Sequence, residues 1–104
     1  MNDIDWMLTA ESGRAIRETL GKNLFRERER AGICQEDLAE LSGVSRNTIS
    51  RMEAGKQEPR FTTLLAISWA LHVPVEALQV DLPVPPGLDR IGRRALARRP
   101  WLEK

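Results

Sequence analysis

Residues 35–55, QEDLAELSGVSRNTISRMEAG, decide how the rest of the chain is read. The spacing predicts two short helices with a tight turn between them. Leu38, Ala39 and Leu41 mark the inner face of the first, and Val44, Ile49 and Met52 that of the second. Gly43 stands at the corner, where a helix end needs one residue in the left-handed region, which glycine adopts without a Cβ clash. Ser45 is placed to cap the helix that restarts there. Val44 and Ile49 flank that cap at the spacing of a hydrophobic staple, which sets the angle at which the chain enters the helix.

Two short helices held at a wide angle make a helix-turn-helix. The longer run GKNLFRERERAGICQEDLAELSGVSRNTISRMEAGKQEPRFTTLLAISWALHVPVEAL resembles the Cro/repressor-type helix-turn-helix family, the phage-repressor-like DNA-binding domains, over roughly Leu20 to Leu78. The glutamine opening the first helix, LAELSGVS, the ISRMEAGK ending and the apolar helix downstream all fall in the family's order. The resemblance implies an all-α chain: a compact five-helix DNA-binding domain with an extra N-terminal helical segment and a basic C-terminal extension. It divides the chain into a partly helical N-terminal extension (1–19), the helix-turn-helix domain (20–80), and a Pro-rich connector with a basic segment (81–104).

Length and composition agree with that division. A chain of 104 residues suggests one domain with short appendages. No apolar run approaches the length that crosses a bilayer, and the N-terminus lacks the pattern of a signal peptide. A single cysteine excludes an intrachain disulfide and a cysteine-built zinc site, so a reducing, cytoplasmic setting in a bacterial or phage context is expected, with no membrane. The net charge is only +1, but residues 83–104 carry +4 and the first 82 residues −3, so distribution matters more than the sum. Glu36, Asp37 and Glu40 lie near the start of their helix, where its dipole favours acids.

Around the central motif, Met1–Thr9 gathers Ile4, Trp6, Met7 and Leu8, an apolar cluster suited to docking on the domain or on a partner. Ala10–Leu20 reads as a helix that can run into the next, where Leu24, Phe25, Arg28 and Ala31 continue a 3.6-residue stripe to Gly32. The resemblance implies a structural ion pair between Arg28 and Glu53; on charge alone, two solvated side chains remain the alternative. Leu64, Ile67 and Leu71 form the core face of the Thr62–Leu71 helix, with Leu65 and Trp69 on a second face. Trp6, Leu65 and Trp69 are therefore the candidate dimer or partner contacts, the alternative being a tryptophan lying flat on its own domain. His72, the only histidine, is read as a left-handed helix cap rather than a metal ligand or a catalytic group, and Val73-Pro74 opens a last short helix carrying Leu78. The arginine-rich stretch 88–99 is either a basic amphipathic helix or disordered without a partner.

In the recognition helix, read as Ser45–Glu53, the residues pointing outward are Arg46, Asn47, Ser50 and Arg51, with Thr48 at the edge. Arginine forks to guanine O6 and N7, and asparagine to adenine N6 and N7, which suits these positions to base edges in the major groove. Ser50 either permits close approach or touches a thymine methyl through water. Phosphate contacts are expected from Gln35, Ser45, Thr48, Lys56 and Arg60; the resemblance implies the role of Gln35, and helix N-termini suit anions. The implied activity is that of a sequence-specific regulator of transcription, a dimeric repressor on palindromic double-stranded DNA. The alternative is an antitoxin-like or adaptor protein that binds a partner protein through its extensions and autoregulates its operon. A small-molecule-responsive regulator lacks a separate ligand domain. No paired acid–base cluster, phosphate-cradling loop or metal spacing points to an enzyme, a cofactor or a metal.

Ile33 and Leu38 have staple spacing around Cys34, a poor capping residue because sulfur is a weak acceptor. Cys34→Ser is expected to stabilise the domain by about 1 kcal/mol at most. A thermal midpoint unchanged or lowered would show that the cap is not limiting.

Overall fold

The computed structural model describes residues 10–83, and every regular element among them is helical. The elements are α1 (Ala10–Ala31), α2 (Gln35–Ser42), α3 (Arg46–Glu53), α4 (Phe61–Leu71) and a 3₁₀ turn (Val75–Leu78). The fold is the all-α class expected, with one correction to the count of five helices. The last element is a single 3₁₀ turn, and the expected extra N-terminal segment is the continuous beginning of α1 from Ala10. Trp6, the Pro-rich connector beyond Pro83 and the arginine-rich stretch lie outside the described residues.

Each helix contributes one narrow stripe to a shared interior. Leu24 from α1, Leu38 from α2, Ile49 and Met52 from α3, Leu64, Ile67 and Leu71 from α4, and Leu78 from the 3₁₀ turn form the core. Burying an aliphatic side chain is worth about 1.5–3 kcal/mol, so short helices that are marginal alone are held by this cluster. Three residues assigned to the inner faces are corrected: Leu41, Phe25 and Ala31, the last of them exposed at the end of α1. Leu41 is 64% exposed and Phe25 48% exposed. Phe25 lies 100° around α1 from the buried Leu24, and Leu41 falls off the seam that Leu38 occupies, so both turn outward.

The helix ends obey local chemistry. Gly43 (φ 76°) closes α2 with its N–H on the Ala39 carbonyl, which is the left-handed corner the sequence demands. Ser45 caps α3, its Oγ accepting from Thr48 N–H at 3.1 Å, so the helix proper begins at Arg46 rather than Ser45. At the start of α2, the Cys34 N–H donates to Asp37 Oδ2 at 3.4 Å, while the Asp37 amide meets sulfur in a contact short of a side-chain cap hydrogen bond. His72 is left-handed (φ 57°, ψ 39°) and ends α4, its N–H on the Trp69 carbonyl.

Polar groups then fasten α1 to the C-terminal turn. Asn23 Nδ2 donates to the carbonyls of Leu78 (2.9 Å) and Val80 (2.8 Å), and Arg26 Nη2 to that of Ala77 (3.2 Å). Both side chains lie on the face of α1 that the turn covers, so carbonyls left over by a 3₁₀ element are satisfied rather than stranded.

On another face of α1, Gly21 lets the helix approach the end of α3. A Cβ at that position would press on the Met52 carbonyl oxygen and come within 2.9 Å of the Glu53 carbonyl oxygen, both backbone atoms that cannot swing aside. Alanine is the better helix former by about 1 kcal/mol, yet overpacking costs about 1–3 kcal/mol. Gly21→Ala is therefore expected to lower the urea midpoint; a raised midpoint would show that the seam between α1 and α3 opens without cost.

Candidate nucleic-acid interface

α3 has a strict division of labour because a helix turns 100° per residue. With Ile49 and Met52 in the core, Arg46, Asn47 and Arg51 are exposed, and Thr48 is half-buried at the margin, as is Ser50, which the sequence placed outward. The structure thus brings two guanidinium groups and a carboxamide onto one face of one helix.

The C-terminal end of that helix is fixed by an ion pair. Arg28 Nε donates to Glu53 Oε2 at 2.7 Å and Nη2 to Glu53 Oε1 at 2.9 Å, a bidentate fork between two side chains that are each nine-tenths buried. The third donor of the same guanidinium, Nη1, binds the Ile33 carbonyl at 2.9 Å, and the group lies 5.4 Å from the centre of the Phe25 ring. The Arg28 pKa is pushed up, first by its hydrogen bond to Glu53, against the desolvation that acts the other way. It stays charged at any pH at which the protein folds.

The residues expected to meet phosphate are distributed less simply. Gln35 does not offer its side chain outward: Nε2 donates to Glu53 Oε1 at 3.1 Å, which joins the start of α2 to the end of α3. The hydroxyls of Ser45 and Thr48 bond one another at 2.8 Å while Ser45 caps the helix. Lys56 is exposed in the loop after Gly55, its N–H on the Arg51 carbonyl at 2.9 Å. Arg60 is exposed at the N-cap of α4. Lys56 and Arg60 are therefore the cations of the set with their side chains free to follow a backbone.

Two features escape the sequence pattern. Glu36, in the first turn of α2, stands against Arg46 with Oε1 2.5 Å from Nε. Ten residues of separation across a turn carry no periodic signal, and its position alone is accounted for by the helix dipole. The second is an open groove between α2 and α4 lined by Leu41, Ser42, Ala66, Trp69, Ala70 and His72. Trp69 is 69% exposed there, whereas Leu65 is half-buried. Cys34 is exposed too. The Asp37 amide draws its thiol pKa down, but the Asp37 and Glu36 carboxylates and desolvation outweigh that and raise it, so it is not an activated nucleophile. Among the described residues no helix is long and apolar enough to cross a membrane.

Comparison with known proteins places this arrangement. A helix-turn-helix family model matches residues 24–78. An uncharacterized HTH-type transcriptional regulator of Haemophilus influenzae is 40% identical over 52 residues, half of this chain and 53% of that protein. The HTH-type transcriptional regulator y4dJ of Sinorhizobium fredii is 34% identical over 58 residues, 56% of this chain and 75% of that protein. The chain thus spans about half the length of the first relative and three quarters of the second. Among solved structures, the restriction-modification controller protein C.AhdI from Aeromonas hydrophila superposes with a TM-score of 0.58 at 29% identity, over 60% of this chain and 94% of that one. The clp gene regulator ClgR from C. glutamicum gives 0.59 at 32% identity, over 62% of this chain and 84% of that one.

The buried fork yields a stability test. Glu53→Ala leaves the Arg28 charge stranded and is expected to cost ~3–5 kcal/mol, whereas Arg28→Met combined with Glu53→Leu is expected to recover most of that. Urea unfolding measures both; a loss under about 1 kcal/mol for the single variant would mark the pair as solvated.

Proposed function

The chain belongs to the Cro/C1-type helix-turn-helix family of DNA-binding transcription regulators, and on that premise we propose that it is a sequence-specific repressor binding as a dimer to a palindromic operator. α3 lies in the major groove, with Arg46, Asn47 and Arg51 on base edges and Ser50 allowing close approach. Lys56 and Arg60 contact the flanking phosphates. The backbone amides at the start of α2 grip another phosphate, with the Gln35 carboxamide held beside them. The observation that carries this reading is the outward row of two arginines and an asparagine on a helix whose other face is locked into the core. A controller protein and a gene regulator as structural neighbours support a regulatory role.

Dimerisation rests on size and on the exposed apolar groove. One module of this size presents few base contacts, and pairing two on half-sites about one helical turn apart multiplies their discrimination. Trp69 and Leu65 on α4, with Leu41 across the groove, are the described residues suited to that contact, and Trp6 is the candidate from the N-terminal segment. The same exposed tryptophan fits a protein partner, as in an antitoxin-like or adaptor role.

The test is selection of bound duplexes from a random pool, followed by affinity measurements on the selected site. Arg46→Ala or Arg51→Ala is expected to cost ~1–3 kcal/mol on that site and to relax specificity at one base pair, whereas Lys56→Ala weakens all sequences alike. Equal losses on selected and random DNA for Arg46→Ala would remove it from the base readers. A monomer occupying a single half-site at micromolar concentration would remove the dimer.

A further inference from the structure

The ion pair between Glu36 and Arg46 lies on the reading surface itself. Glu36 is the second residue of α2 and Arg46 the first of α3, and their side chains are 61% and 55% exposed. An exposed pair of this kind adds little to stability because water screens it. Its consequence lies in what it does to the arginine.

A guanidinium has a side edge at Nε and an end edge formed by Nη1 and Nη2. Arg28 spends its side edge, Nε with Nη2, on Glu53. Glu36 approaches Arg46 from the same side, at Nε. The end edge of Arg46 is the one that can fork onto guanine O6 and N7. Left without a partner, an exposed arginine beside DNA has a competing choice, since every phosphate offers a carboxylate-like pair of oxygens and there is one for each nucleotide.

We propose that Glu36 is a specificity-determining residue that acts through Arg46, holding its Nε edge so that the end edge addresses a guanine rather than a phosphate. The inference rests on the reading of α3 as the base-reading helix. Glu36 remains ionised for this role: its carboxyl is held below the usual carboxylate range, first by its own backbone amide, then by Cys34, with the charge of Arg46 adding to both. A carboxylate at the start of α2 also repels the DNA backbone. Where Arg46 finds its guanine, the ion pair persists and offsets that repulsion. Where it does not, an arginine that leaves for a phosphate strands the Glu36 charge against a polyanion. Glu36 thus lowers affinity for DNA at large and widens the gap between cognate and other sequences, discrimination achieved through a repulsive element.

The experiment compares the full-length chain with Glu36→Gln, Glu36→Asp, Arg46→Ala and the Glu36→Gln/Arg46→Ala double variant. Each is titrated against the selected duplex and an unrelated duplex of equal length at one fixed salt concentration. Glu36→Gln is expected to bind the unrelated duplex severalfold more tightly and to reduce the ratio of selected to unrelated affinity about tenfold. Renewed selection should blur at the base pair that Arg46→Ala blurs. Glu36→Asp, which keeps the charge but shortens the reach, is expected to lower the ratio without tightening unrelated binding. In the Arg46→Ala background Glu36→Gln should leave the ratio unchanged. The proposal is overturned if Glu36→Gln shifts both duplexes by one common factor, or if its effect on the ratio persists without Arg46. A wild-type chain that prefers no sequence overturns instead the reading of α3 as a base reader.

Discussion

The orientation of α3 depends on the fork between Arg28 and Glu53. An eight-residue helix does not hold itself in place, so its direction has to come from its attachments. At one end it has the Ser45 cap, and at the other Glu53, gripped by two donors of Arg28 and one of Gln35. The remaining Arg28 donor holds the Ile33 carbonyl, in the loop that leads into α2. One cation therefore sets the end of α1, the approach to α2 and the end of α3 together. A well-packed apolar pair could match its contribution to stability. It would not impose the planar, bidentate geometry that makes a guanidinium–carboxylate contact directional. The close passage of α1 at Gly21, over the carbonyls of Met52 and Glu53, brings the two charged residues near enough for that geometry.

With its direction set, α3 carries two chemistries that a short helix keeps apart by rotation alone. Ile49 and Met52 are spent on the core, and the arginines and asparagine around them are left for another molecule. The charge around this row is not uniformly positive. Glu36 and Asp37 stand in the first turn of α2, and the first 82 residues sum to −3. Among the described residues, α3 and the loop after it carry the exposed cations Arg46, Arg51, Lys56 and Arg60, while residues 83–104 carry +4 in all. The apolar groove between α2 and α4 shares no lining residue with α3.

Much of the fold was legible from spacing, and the departures have geometric causes. The α2–turn–α3 pattern, the left-handed Gly43, the Ser45 cap and the core stripe Leu64, Ile67 and Leu71 all follow from rules that act within a few residues. Phe25 and Leu41 were misassigned because a stripe read from sequence has a width of about 100°, while the width actually buried is set by how closely the neighbouring helix approaches. The continuity that the sequence left open between Ala10–Leu20 and the stripe after it is realised as the single α1, with Gly13 and Gly21 carried through a helix. A helix tolerates glycine where nothing local stops it, and at Gly21 the approach of α3 requires it.

For the candidate site, helical rotation and the positions of Ile49 and Met52 sufficed to place Arg46, Asn47 and Arg51 outward, while Ser50, also read as outward, is half-buried at the margin. The chain by itself also determined that the end of α2 and the start of α3 could be closed locally, by Gly43 and Ser45. Only the tertiary structure decided what those side chains touch: Gln35 turned inward onto Glu53, and Arg46 held at its Nε by Glu36. Periodicity reports the direction of a side chain relative to its own helix axis. Partnership across a turn depends on the angle and separation between two axes, and those are settled by core packing and the Arg28–Glu53 fork, which join residues 25 positions apart.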